Sequence, residues 1–384
     1  MANCLWNDFE GHRKLHLANW KLVCKKKEYG GLGVPDLANV NLCLLSSWVK
    51  RYIQGDGKLW KTMVDAKYNT QNPNIFCSRT VGVSNFWKGV MWAVHSIKFG
   101  YRWKIGNGEK VRFWEDTWFG TSPLAVQFFD LYIICNEHNK TVKQIWVDGQ
   151  LRLSFRRNFP PLLMEKWHEL EGVASSISLI DDTDALIWQY ENKGVYSTSS
   201  LYAIINFGGV TPIYIPSIWD LCVPPRIHIF LWLLANNKLM TRDNLKKRNM
   251  NKPEDCIFCS ENESIDHLFF QCIVANQLWH FISDFFDVHV GNDYFSIAKL
   301  WIANKKYAVL NTVCSASLWC IWKCRNDLIF NGHPWLNILQ VWRMLRNTLQ
   351  MWRVIFKDHM LVEMDRFCSK VDELLCCPLL LENG

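Results

Sequence analysis

The chain has 384 residues, 49% of them apolar, and 43 Lys and Arg against 36 Asp and Glu give a net charge of +7. That length is enough for two or three domains with real cores, and no low-complexity tract interrupts it. No run approaches the ~18 apolar residues of a membrane helix, and fifteen cysteines behind no signal-like N-terminus argue for an intracellular, reducing compartment rather than a disulfide framework.

Residues 1–70 predict a helical region. It opens with His12-Arg13-Lys14, then Lys25-Lys26-Lys27, then Gly30-Gly31-Leu32-Gly33-Val34-Pro35-Asp36. No strand precedes the glycines and no Gly-Lys-Ser/Thr follows them, so the loop is a turn rather than a phosphate-binding loop. Asp36 is suited to cap a helix over 37–54, with Leu37, Val40, Leu44, Leu45, Trp48 and Ile53 as its apolar stripe. The lysines here either touch a nucleic-acid backbone or form a solvated face.

Residues 71–183 predict a helix and a Trp-rich hairpin. A turn-rich linker at 70–74 leads to a helix over 84–99 capped by Ser84, with Trp87, Val90, Met91 and Val94 inside. The run Tyr101 to Trp114 alternates as a hairpin, and Asn107-Gly108 suggests a two-residue turn. That register would mix the faces, so the apolar pattern pairs Ile105 with Val111 and Trp103 with Phe113 through an odd-length loop. Arg102, Lys104, Lys110 and Arg112 would then share the other face. Such a face beside aromatics can hold RNA, and ordinary solvated alternation explains it as well. Pro160-Pro161 precedes a helix near 161–171.

Residues 184–286 predict a second hairpin, 185–190 with 195–197, and a helix over 199–206 capped by Thr198. After a loop at 208–212, Pro224-Pro225 leads into a nearly all-apolar helix over 226–235, buried on most sides. Thr241 caps a short helix ending in Lys246-Lys247-Arg248. Then comes Cys256-x2-Cys259-x7-His267-x4-Cys272. Zinc prefers four thiolate or imidazole ligands in a tetrahedron, and this spacing supplies them for one Zn2+. Buried free thiols are the alternative. His267 and Cys272 stand about 140° apart on a straight helix, so a break is expected near Phe270-Gln271, with a new helix from Cys272 to about Phe286 carrying Trp279. Residues 287–384 predict long helices: 308–330, closing at Asn331-Gly332; one from Pro334 to about 357; and one ending before Pro378. The expected fold is α+β and predominantly α-helical, with two small β-hairpins, a small CCHC zinc-binding subdomain and long C-terminal helices.

The segment Trp219-Asp220-Leu221-Cys222-Val223-Pro224-Pro225-Arg226-Ile227, then Phe230-Leu231-Trp232, the four metal positions, His267-Leu268-Phe269-Phe270 and Trp279 resemble a known pattern. It is the zinc-binding domain downstream of the reverse transcriptase in plant LINE-type (non-LTR) retrotransposons. The resemblance covers about 184 to 283, and residues 1–70 resemble the helical region after the polymerase core. It implies RNA or DNA binding during target-primed reverse transcription.

Polymerase and RNase H chemistry both need clustered carboxylates. Leu179-Ile180-Asp181-Asp182 imitates the polymerase motif but lacks its aromatic residue and any acidic partner upstream, so a polar turn is the simpler reading. Cys320 and Cys324 share one helix face without partners, and Cys376-Cys377 is similarly unpartnered. His228, His280 and His333 lie in apolar or turn contexts. The chain is therefore expected to be a non-enzymatic zinc-binding fragment of a retroelement polyprotein, contacting nucleic acid through Lys246, Lys247 and Arg248. No membrane or small-molecule partner is expected. The alternative is a zinc-stapled protein–protein interaction module.

Overall fold

The computed structural model describes residues 16–53, 58–68, 82–207, 209, 212–250 and 252–376. These form two compact units, Pro35–Phe207 and Met1–Val34 with Gly208–Gly384. The expected linker at 70–74, the His12-Arg13-Lys14 run and Cys377 lie outside the described residues. Both units are mostly helical, with two small two-stranded sheets in the first, as the sequence predicts for the fold class.

The unit 35–207 is built on helices α1 (Leu37–Ile53), α2 (Leu59–Tyr68) and α3 (Asn85–Ile97). Asp36 accepts from Ala38 N at 3.0 Å, and the Ser84 side chain accepts from Trp87 N, so both expected caps are made. Trp87, Val90, Met91 and Val94 are buried against Cys43, Val49 and Tyr52 of α1. Strands β1 (Tyr101–Lys104), β2 (Trp146–Val147) and β3 (Gln150–Leu151) follow. Helix α4 (Pro161–Ser175), strand β4 (Ala185–Trp188) and helix α5 (Thr198–Ile205) complete the unit. The cap of α5 is Ser197, one residue before the expected Thr198.

The two expected hairpins are not local. Strand β1 pairs antiparallel with β4, Tyr101 opposite Trp188 and Lys104 opposite Ala185, so the first strands of both expected hairpins form one sheet. The second sheet is the small β2–β3 pair. The reason is a carboxylate. Asp184 is buried, and its Oδ1 accepts from Gly106 N at 2.7 Å and Gly108 N at 2.9 Å, while Oδ2 accepts from Lys110 N at 2.8 Å. The backbone donors of Gly106-Asn107-Gly108 thus wrap a side chain instead of closing a two-residue turn. Val111 and Phe113 are buried in a second core with Trp114 and Trp118, not opposite Ile105 and Trp103. Arg102 is turned to the carbonyl of Trp118 and Arg112 pairs with Glu115, so these two cations are engaged within the unit. Asp184→Asn keeps two of the accepted hydrogen bonds but points an amide donor at Lys110 N. It is expected to cost about 1–3 kcal/mol, measured as a shift in denaturant midpoint, and a neutral result would mean the loop is held elsewhere. Asp181 and Asp182 are exposed in the preceding turn.

In the other unit, helix α6 (Pro225–Ala235) buries Ile227, Phe230 and the run Leu231–Leu234. The indole of Trp232 donates to Gly30 O at 2.8 Å, fixing the glycine turn near the start of the chain to this helix. Helix α7 (Arg242–Lys246) precedes the metal positions, and α8 (Ile273–Phe286) follows them. Helices α9 (Tyr294–Trp301), α10 (Ala308–Phe330), α11 (Leu339–Trp352) and α12 (Asp358–Cys376) close the unit. Helix α10 runs through the core, with residues from Val309 to Leu318 all buried, and Cys320 and Cys324 are core thiols. Helix α11 begins later than the expected Pro334. Gln340 spans that lead-in, accepting from Leu336 N and donating to Pro334 O, and Trp335 packs edge-on against Phe258. Among the described residues, no helix is long and apolar enough to cross a membrane.

Candidate metal centre

The site begins as a short loop. Asp255 and Asn262 bridge antiparallel, Cys256 N donates to Glu261 O at 2.7 Å, and Glu263 N donates to Glu254 O at 2.8 Å. This closes the Cys256–Cys259 turn so that both sulfurs face one side. The second ligand pair comes from a backbone irregularity. Ser264 Oγ accepts from His267 N, and residues His267–Gln271 form a π-helical turn. Cys272 N donates five residues back to His267 O at 2.7 Å. A five-residue repeat returns Cys272 to the face of His267, which an α-helix would not do. Cys272 then leaves in extended conformation as the residue before α8. The expected break at Phe270-Gln271 is this turn. It is held by the Trp279 indole, which donates to Phe269 O at 2.7 Å, and by Phe270 stacked on that indole.

Cys256, Cys259, His267 and Cys272 converge, with one ligand atom from each within 4.8 Å of all the others. Cys256 Sγ and Cys259 Sγ each lie 4.0 Å from Cys272 Sγ, and Cys259 Sγ lies 3.1 Å from His267 Nε2. Tetrahedral zinc with ordinary bond lengths needs sulfurs about 3.8 Å apart and sulfur about 3.6 Å from nitrogen. The donor set therefore fits one Zn2+ with only small adjustments. The three thiols also interact through their hydrogen bonds and burial. A hydrogen bond from Cys272 holds the Cys256 thiol down at about 5 against the cost of its burial. The same hydrogen bond, with burial, pushes Cys272 up, and burial raises Cys259. Without metal only Cys256 is thus held as a thiolate; a coordinated thiol gives up its proton, so zinc would release those of Cys259 and Cys272 as well. When bound, the zinc would act as a structural cross-link between the Cys256–Cys259 loop and the His267–Cys272 turn.

Of the three cations expected to meet nucleic acid, Lys246 pairs with Glu254 at 2.5 Å and Lys247 with Asp243 at 2.9 Å. Both are exposed, whereas Arg248 donates to the carbonyls of His16 and Leu17. Thr241 precedes α7, but its hydroxyl donates to Asp243 rather than capping the helix. The N–H of Arg242 is instead taken by the carboxylate of Glu263, at 2.9 Å. Glu263 is fully buried and forms a two-pronged ion pair with Arg325. The pattern of metal ligands does not reveal this pair. Its one signal is an arginine on an otherwise apolar helix face, beside Ile321, Cys324 and Leu328.

A fold dominated by helices around a four-ligand Cys/His centre defines a zinc-binding module. The family described as zinc-binding in reverse transcriptase matches residues 196–279, which include all four ligand positions. Over 286 residues the chain is 27% identical to an Arabidopsis thaliana protein whose name reads "Putative ribonuclease H protein", covering 72% of this chain and 45% of that one. It is 29% identical over 119 residues to an uncharacterized mitochondrial protein of the same plant, covering 31% of this chain and 77% of that protein. No solved structure matches. These similarities support a retrotransposon-derived, reverse-transcriptase-related protein with a zinc-binding domain. The chain spans less than half the length of the first relative.

One expectation is corrected here. The chain was expected to have no enzymatic character because no carboxylate cluster could be read from local spacing. A relative that aligns with 72% of this chain is named for a ribonuclease, so the expectation of no enzymatic character does not stand. Local spacing is a weak guide in such families, since catalytic carboxylates are brought together from distant segments by the fold.

Proposed function

We propose that this chain is the zinc-binding part of a LINE-type retroelement protein and that it holds RNA or DNA for the associated reverse transcriptase. The observation that carries the reading is the convergence of four zinc ligands inside the segment that matches the reverse-transcriptase zinc-binding family. The net charge of +7 suits a polyanionic partner. Lys246 sits on the metal loop itself through its pair with Glu254, and Lys247 is one residue on. Exposed ion pairs are worth about 0–1 kcal/mol, so phosphate can displace these carboxylates. Arg248 serves the same patch only by giving up its hydrogen bonds to the two carbonyls. The free thiols of the described cysteines suit an intracellular, reducing compartment.

Binding isotherms for the wild type and a Lys246→Ala, Lys247→Ala, Arg248→Ala variant, at several salt concentrations, test this. Removing a cation that meets a phosphate should flatten the log–log salt slope by about 0.7–0.9, so the triple variant should flatten it by up to about three. Affinity should fall about equally on unrelated sequences, because phosphate binding carries no sequence information. Zinc content should not change. An unchanged slope would remove these residues from the interface, and binding insensitive to salt would favour an apolar protein partner.

A further inference from the structure

The metal loop is gripped from outside its own segment. Glu263 lies midway between Cys259 and His267, in the stretch joining the two ligand pairs. Its carboxylate accepts from Arg325 Nη2 at 2.7 Å and Nε at 3.1 Å, and from Arg242 N at 2.9 Å. The side chains of Glu263 and Arg325 are 0% and 3% exposed. Arg325 also donates to Asn326 Oδ1 and lies over the Trp322 ring. A second hold comes from Trp335, whose ring centroid is 4.8 Å from that of Phe258, between Cys256 and Cys259. Arg325 and Trp335 both lie beyond residue 279, where the family match ends.

We propose that Glu263 and Arg325 are positioning residues for the zinc, so that helix α10 is a working part of the metal centre and zinc binding orders the helix around Arg325. The proposal rests on the zinc reading above. A loop joining two ligand pairs must lose its conformational freedom before four ligands can converge. A bidentate, desolvated guanidinium–carboxylate pair fixes the midpoint of that loop in advance. Without Arg325, the buried carboxylate would lose its counter-charge, keep only the Arg242 N–H as a donor, and draw the loop toward water. Neither residue touches the metal, so its effect must pass through loop position.

The test is the zinc dissociation constant of the full chain, by competition with a chromophoric chelator. Arg325→Met and Glu263→Gln should each weaken zinc by about tenfold or more, as loss of groups supporting metal ligands typically does. The double variant should be no worse than the weaker single, because the two act as one pair. Arg325→Lys, which keeps the charge and loses the fork, should fall between. Leu345→Ala, a core truncation on α11, destabilises the same unit and should leave zinc affinity unchanged. Wild-type affinity in Arg325→Met overturns the proposal, and so does an equal loss in Leu345→Ala. If the pair variants fail to fold at saturating zinc, hydrogen exchange on the wild type decides. Chelation should strip protection from amides around 320–328 and spare 362–374, and retained protection at 320–328 overturns it. A wild type that takes up no zinc overturns both readings, whereas zinc uptake with Arg325→Met at wild-type affinity overturns only this one.

Discussion

Chelating the zinc is expected to open residues 254–272 as a unit. In small zinc domains the metal supplies on the order of 10 kcal/mol of folding free energy. Here part of that is replaced by burial, since Leu268, Phe269 and Phe270 are sealed in a core that other helices share. The expected result is therefore local rather than global unfolding. Hydrogen exchange should accelerate roughly 100-fold or more in 254–272, which corresponds to about 2.7 kcal/mol, with loss of protection reaching the contacting turn of α10 around 320–328, while 362–374 in the same unit keeps its protection. Protection unchanged on chelation would mean that packing alone holds the turn.

Gly291→Ala is expected to be strongly destabilising to the same unit. Gly291 has φ of +89°, a left-handed conformation that costs an L residue about 1–2 kcal/mol. A Cβ placed there would also fall inside the side chain of Trp279. That indole cannot yield, because it stacks on Phe270 and donates to Phe269 O. Forced repacking adds about 1–3 kcal/mol, so the total should be about 2–5 kcal/mol. Denaturant unfolding of the zinc-loaded protein measures it. Because Trp279 supports the π-turn that presents His267 and Cys272, the variant should also bind zinc more weakly. A loss under about 1 kcal/mol would contradict the packing of this loop on the indole.

The metal centre was legible because its chemistry is local. Cys256, Cys259, His267 and Cys272 fall within seventeen residues, and the angular mismatch between His267 and Cys272 required the break that appears as a π-turn. Long helices were legible from apolar spacing and caps, as at Asp36 and Ser84, and at Asn331 where α10 closes. What sequence reading missed is non-local. The partner of Tyr101–Lys104 is Ala185–Trp188, and the donors of Gly106 and Gly108 are taken by Asp184. No turn propensity at Asn107-Gly108 encodes a carboxylate so distant in sequence. The Pro334 start failed for a related reason: Trp335 is drawn onto Phe258 of the metal loop, so the helix begins only at Leu339. Glu263 was missed because a glutamate between zinc ligands looks like solvated loop until Arg325 arrives from helix α10. The absence of catalytic character was over-read from short motifs, where fold and distant segments decide.

The most direct measurement is metal content joined to metal geometry. Freshly purified wild type, analysed by elemental mass spectrometry and zinc-edge X-ray absorption, should hold one zinc per chain with three sulfurs at about 2.3 Å and one nitrogen at about 2.0–2.1 Å. Cys259→Ser and His267→Ala should each lose the ion or change its coordination shell. Folded wild type without zinc, or a zinc shell of oxygens that neither substitution alters, would contradict the account.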